Sequence, residues 1–241
     1  MTRFSAIQAR AEARKGGPEI LAKLLTSKPS RADLMALGDD RILAEMTRRV
    51  FSAGFAWSVI DAKWPDFEAA FQGFDPAALA FQPDEYWEGL ASDTRIVRNG
   101  AKIMAARHNA VFVCDVSREH GSFGRFLAGW PPGDEIGLLV LLAKRGGRLG
   151  GATGQIFLRE VGWDAFVLSR DVVACLREAG VDIAEEPKSK GDLAKVQAQF
   201  NAWAEESGLP YRHLSLICAM SAGPNYEPAQ LMQWMGGGEE A

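Results

Sequence analysis

The feature that most constrains this chain is punctuation. Apolar residues recur with a helical period almost throughout, and the segments are bounded by residues that start or stop helices. Ser30-Arg31-Ala32-Asp33 reads as a capping-box analogue ahead of Leu34. Asp75-Pro76 sets an acceptor at the cap and proline in the first turn, and Trp64-Pro65 and Gln82-Pro83 repeat the device. Glycines 38, 54, 73, 180, 208 and 223 read as stops. The pattern predicts helices over 4–14, 18–26, 31–37, 40–53, 56–63, 66–72, 76–81, 84–91, 95–114, 120–128, 134–145, 152–160, 170–179, 190–206 and 211–221. Alternating β-branched strands are nearly absent. His108 to Val116 could be read as a strand, but the helical phase from Ile96 and Ile103 carries its first half into a helix. The expected fold is all-α, a multi-helix bundle.

With 241 residues and 47% hydrophobic content, the chain can bury a sizeable core, and a disordered chain is excluded. The longest apolar run, Ile136 to Ala143, is too short to cross a bilayer. The N-terminus lacks the apolar stretch of a secretory signal. Three cysteines far apart in sequence suggest no disulfide framework, so a reducing cytoplasm is expected. The net charge is −4, yet residues 1–50 carry ten Lys/Arg against six Asp/Glu, and residues 95–148 carry nine against four. Local basic patches on an acidic chain can still attract phosphate, because the field is local within a Debye length of about 8 Å.

Two segments carry candidate chemistry. Residues 144–155 (KRGGRLGGATGQ) join a leucine-rich helix with a basic end to a second helix through a glycine-rich turn. Glycines permit close approach, and the amides of the second helix's first turn favour anions. Lys144, Arg148, Gly150, Gly151 and Thr153 are therefore candidate phosphate contacts; the plainer reading is a helix cap followed by a tight turn. Arg98 and Lys102, one turn apart on the expected helix 95–114, form a second candidate pair or a solvated helix face. The junction Phe51-Ser52-Ala53-Gly54-Phe55-Ala56-Trp57 sets small residues between aromatics. Phe55 and Trp57 could stack a base, or be ordinary core.

Taken together, residues 53–57 (AGFAW), 67–80 (FEAAFQGFDPAALA), 96–110 (IVRNGAKIMAARHNA) and 144–162 resemble bacterial 3-methyladenine DNA glycosylase I. The resemblance covers about residues 40–175. It implies the helix-hairpin-helix DNA glycosylase fold, with damaged double-stranded DNA as partner. It also implies extrusion of the damaged base and hydrolysis of the N-glycosidic bond of an alkylated purine in base excision repair. Trp57 falls on that family's pocket tryptophan. Eight residues before it, where the family has a glutamate, this chain has Arg49. Glu45 lies one turn earlier on the same helix face and is a candidate substitute carboxylate, so Glu45 or Arg49 is expected to read the base edge. In the wider superfamily a catalytic aspartate follows the hairpin's second helix; here Ser169 occupies that place, with Asp171 two residues on.

The candidate catalytic residues are thus Glu45, Arg49 and Ser169. The family's zinc-binding cysteine and histidine pattern has no counterpart, and no metal or other cofactor is expected. Residues 1–38 are read as a helical extension, 39–230 as the glycosylase-like domain and 231–241 as a flexible tail, with the protein expected to be a monomer. A DNA-binding or lesion-sensing protein without catalysis is the alternative, and a small-molecule or partner-binding protein on a reused scaffold the third reading.

Overall fold

The structure is a computed structural model and describes residues 2–25 and 30–237. Among these residues the regular structure is helical: α1 (Phe4–Lys15), α2 (Pro18–Leu24), α3 (Arg31–Ala36), α4 (Asp39–Ser52), α5 (Trp57–Ala70), α6 (Pro76–Ala80), α7 (Asp84–Ser92), α8 (Gly100–His120), α9 (Phe123–Gly129), α10 (Glu135–Arg145), α11 (Ala152–Glu160), α12 (Arg170–Glu178), α13 (Lys190–Ser207), α14 (Tyr211–Ser221) and α15 (Pro228–Gly237), with a 3₁₀ turn at Gln72–Phe74. The all-α expectation holds. The caps hold in detail: Ser30 and Asp33 form a reciprocal capping box at α3, and Asp75 accepts from the Ala77 and Ala78 amides at α6.

Four expectations need correction. Trp64-Pro65 does not start a helix; α5 runs through it. Proline there removes the bond to the Asp61 carbonyl, at a cost of roughly 3 kcal/mol. An aromatic ladder offsets that cost, since Trp64 stacks on Phe67 and on Phe74, and Phe67 on Phe71. The helix expected over 95–114 starts at Gly100, where Asn99 caps the Lys102 amide, and continues to His120, so all of the strand-like His108–Val116 is helical. Gly38 lies at the N-cap of α4 rather than simply ending the previous helix. Residues 231–237, read as tail, are helical, whereas Thr26 and residues 238–241 lie outside the described residues.

The chain divides into two compact units, Met1–Lys28 with Pro132–Ile136 and Asp164–Ala241, and Pro29–Pro131 with Gly137–Trp163. This division does not follow the boundaries read at 38/39 and 230/231. In the first unit, α1 packs on α14, and α12 also packs on α14. Its core includes Phe4, Ile7, Leu24, Phe166, Phe200 and Trp203. This packing brings together Cys175 and Cys218, distant in sequence: both thiols are free and buried, and Ser221 Oγ donates to Cys175 Sγ at 3.4 Å. In the second unit, α8 is the central rod against which α4, α6, α7 and α9 pack. Asp39 at the start of α4 accepts from the Phe123 amide and the Ser117 hydroxyl, tying α4 to the α8–α9 turn. No helix of the described residues is long and apolar enough to cross a membrane.

Candidate functional site

The second unit holds two of the motifs read from sequence and joins them through one lysine. The first is the turn between α10 and α11. Gly147 lies against α8, where an added Cβ would sit 2.9 Å from the Ala105 carbonyl oxygen. The fully buried Asn109 side chain locks it there, accepting from the Gly147 amide at 2.6 Å and donating to the Gly147 carbonyl at 3.2 Å. One step earlier, His108 Nε2 is 2.8 Å from the Arg145 carbonyl oxygen. Arg145 itself pairs with Glu119 and covers the Phe112 ring.

Leu149 is buried and anchors the far side of the turn, while Lys144, Arg148, Gly150 and Gly151 are exposed. Arg148 is held at φ 59°, which an L residue rarely adopts. Gly151 is the N-cap of α11 at φ 59°, ψ −138°, a conformation reserved for glycine, and it offers no side chain to cap the helix. The first-turn amides of α11, with half-buried Thr153 among them, are left for an external acceptor. Asn109 and His108, which fix the hairpin, were missed in the sequence. The available signal was an Asn inside an otherwise apolar helical stretch.

The second motif is the junction from α4 to α5. Arg49 and Trp57 meet here: the guanidinium carbon lies 4.2 Å from the centre of the Trp57 ring. Arg49 Nε is 2.5 Å from Glu45 Oε1, one turn back on α4. The two form an ion pair, and Arg49 Nη1 is buried with no hydrogen-bond partner. Arg49 is only 6% exposed. Burial pushes the Glu45 carboxyl above the ordinary range; Arg49 pulls against this and Glu160 of α11 adds to it. One residue before Arg49, the Arg48 guanidinium lies over Trp64 and pairs with Asp61.

Lys102 links the motifs, and its expected role needs correction. It is buried, not a free phosphate contact: Nζ donates to the carbonyls of Phe51 at 3.0 Å and Ala53 at 2.6 Å, closing the C-terminal end of α4. It also lies 4.6 Å from the centre of the Phe55 ring, whose exposure is 43%. Burial lowers its pKa and the nearby Arg148 lowers it further, which puts the hairpin arginine within electrostatic reach of the junction. Arg98 is exposed but sits in the loop before α8, so it is not one helical turn from Lys102.

Ser169 belongs to the first unit and has an ordinary structural task there. Its hydroxyl caps α12 by accepting from the Val172 amide at 3.3 Å, and Asp171 lies in that helix's first turn.

The sequence profile of the methyladenine glycosylase family matches residues 35–137. Over this segment, less than half of the chain, the protein resembles that family. It contains Glu45, Arg49, Phe55, Trp57, Arg98 and Lys102; the hairpin and Ser169 lie beyond it. Among solved structures, the chain is similar to a 3-methyladenine DNA glycosylase I at 24% identity, over 52% of this chain and 80% of that one, with a TM-score of 0.46. It is similar to the Staphylococcus aureus 3-methyladenine DNA glycosylase I at 23% identity, over 52% and 77%, with a TM-score of 0.46. A third similar structure is a 3-methyladenine DNA glycosylase I variant in complex with 3-methyladenine, at 22% identity over 54% and 81%, with a TM-score of 0.47.

Proposed function

We propose that this protein is a DNA glycosylase that removes an alkylated purine by hydrolysing its N-glycosidic bond. The observation that carries the reading is the cluster of buried Arg49 with half-buried Glu45 and Trp57 inside the family-matched segment. In this reading the backbone of Gly150, Gly151 and Thr153, with Lys144 and Arg148, holds the phosphates of damaged double-stranded DNA. Arg98 adds a contact from its loop. Phe55 and Trp57 present aromatic surface to the extruded base. Glu45 is the carboxylate that faces it. An alkylated purine that carries positive charge is already a good leaving group, so little acid–base machinery is required. The chain works as a cytoplasmic monomer without a cofactor.

The test is release of free purine from alkylated duplex DNA. Release by the wild type that falls with Trp57→Ala supports the reading; no release overturns it. One observation favours a second reading, a lesion-binding protein without catalysis. The Arg49 guanidinium already lies on Trp57 and pairs with Glu45, so the groups that would take a base are engaged. Under that reading, duplex binding persists without release and weakens steeply with salt.

A further inference from the structure

The first unit buries two thiols that the glycosylase reading does not use. Cys175 lies on α12 and Cys218 on α14, both without solvent exposure and both free. The packing of α12 on α14 sets them in hydrogen-bond contact with each other. Ser221 Oγ lies 3.4 Å from Cys175 Sγ and 2.8 Å from the Cys218 carbonyl oxygen. The Arg10 guanidinium reaches in from α1: Nη2 donates to Ser221 Oγ at 3.2 Å and lies 4.0 Å from Cys175 Sγ. The Arg10 side chain is itself 42% exposed and pairs with Glu178 at 3.1 Å. Cys175 therefore sits one side chain below the surface, beneath a cation.

The thiolate is the nucleophilic form of cysteine, and a nearby cation with hydrogen-bond donors favours it. The two thiols are not equivalent. The hydrogen bond from Cys218 holds the Cys175 thiol down, with Ser221 and Arg10 adding to it, whereas burial pushes the Cys218 thiol up. This asymmetry makes Cys175 the sulfur that attacks first and Cys218 the one that follows. Cys114 is the internal contrast. It belongs to the second unit, is half-buried, and has its thiol pushed up by burial and by Asp115, Asp39 and Asp75 against Arg118.

We propose that Cys175 and Cys218 are a peroxide-responsive thiol pair that closes reversibly into a disulfide joining α12 to α14. The Cys175 thiolate attacks one oxygen of a small hydroperoxide such as hydrogen peroxide. An S–O bond forms and the O–O bond breaks; the departing hydroxide takes up the proton that Cys175 gave off and becomes water. The Cys218 sulfur then attacks the sulfenic sulfur of Cys175. An S–S bond forms, the S–O bond breaks, and the second hydroxide leaves with the Cys218 proton as water. The two thiols lose two electrons and the peroxide gains them. Two external thiols reopen the bond and become a disulfide in turn, so in a reducing compartment the closed form is transient.

The experiment treats the full folded chain with hydrogen peroxide at pH 8, alkylates the remaining thiols, and maps disulfides by mass spectrometry of the digest. The peptide pair carrying Cys175 and Cys218 is expected to be at least about tenfold more abundant than either pairing with Cys114, because thiols already in contact close without moving the backbone. Dithiothreitol should abolish it. With dimedone present to trap sulfenic acid, Cys218→Ala should accumulate adduct on Cys175, and Cys175→Ala should show little on Cys218. The proposal is overturned if the folded wild type yields no Cys175–Cys218 pair, or yields it no more readily than pairings with Cys114. Adduct on Cys218 but not on Cys175 in these variants overturns the order of attack. Should a variant fail to fold, the wild-type disulfide map decides alone.

Discussion

Asn109→Ala tests whether the hairpin is a docked, preorganised element. Asn109 is fully buried, and its side chain makes both bonds that hold Gly147 to α8, at 2.6 and 3.2 Å. Truncation removes both and leaves the Gly147 amide and carbonyl without partners. A buried polar group left unmade costs about 1–3 kcal/mol. Gly147 is itself half-buried, and water can recover part of that loss. The total loss is therefore about 2–3 kcal/mol, somewhat below the sum for two sealed groups. For a chain of this size that is a drop in Tm of about 5–10 °C.

The assay is thermal unfolding followed by circular dichroism, paired with duplex-DNA affinity measured well below the transition. Affinity should fall as well, because a hairpin that is no longer held must be ordered on binding. Stability unchanged to within about 0.5 kcal/mol would refute the docking argument. Lost stability with full DNA affinity would refute the claim that docking prepares the hairpin for phosphate.

Three further outcomes follow from the same geometry. Ala152→Asp places a carboxylate on the exposed first turn of α11, where the helix dipole favours it by about 0.3–1 kcal/mol; the variant should melt no lower than wild type while losing DNA affinity, and unchanged affinity removes that turn from the interface. It is a cleaner probe than Gly151→Asp, which would also strain a backbone at φ 59°. Lys102→Met should cost about 1–3 kcal/mol by freeing the Phe51 and Ala53 carbonyls, yet leave the salt slope of DNA binding as it was; a slope reduced by about one would make Lys102 a phosphate contact after all. Cys175 has its pKa lowered chiefly by the hydrogen bond from Cys218, then by Ser221 and Arg10, against burial; Cys218→Ala should raise the midpoint of its thiolate absorbance, and an unmoved midpoint would contradict the pairing. By linkage, a pKa lowered on folding contributes stability at high pH that is lost as pH falls through the folded-state value, and Cys218→Ala should shrink that loss.

The helices were legible because their boundaries are local chemistry. Ser30 with Asp33, and Asp75 before Pro76, act within their own turn, and the structure uses them as the sequence suggests. Pro65 misled for the same reason. Its local signal says start, but the stacked rings of Trp64, Phe67 and Phe74 hold the helix straight through it, and that ladder is a tertiary fact. The site divides along the same line. Trp57 could be named from the aromatic junction, and Arg49 and Glu45 from the family resemblance, but Arg49's position over the indole depends on how α4 meets α5. Lys102 looked like a surface charge one turn from Arg98; a later helix start left Arg98 in a loop, and packing turned Lys102 inward onto the α4 carbonyls. The contact between Cys175 and Cys218 required the packing of α12 on α14, which no spacing rule supplies.

The most direct test of the account is to identify, by mass spectrometry, the free base released from alkylated duplex DNA by the wild type and by Glu45→Gln. Glu45 is the half-buried carboxylate of the cluster, its pKa raised by desolvation and held partly in check by Arg49. The account predicts that the wild type releases an alkylated purine and that Glu45→Gln releases it about tenfold more slowly, because a neutral amide bonds a cationic purine less strongly than a carboxylate does, with duplex affinity retained because the hairpin is untouched. Equal release by the two proteins would contradict the assignment of Glu45, and no release by the wild type would contradict the glycosylase account itself.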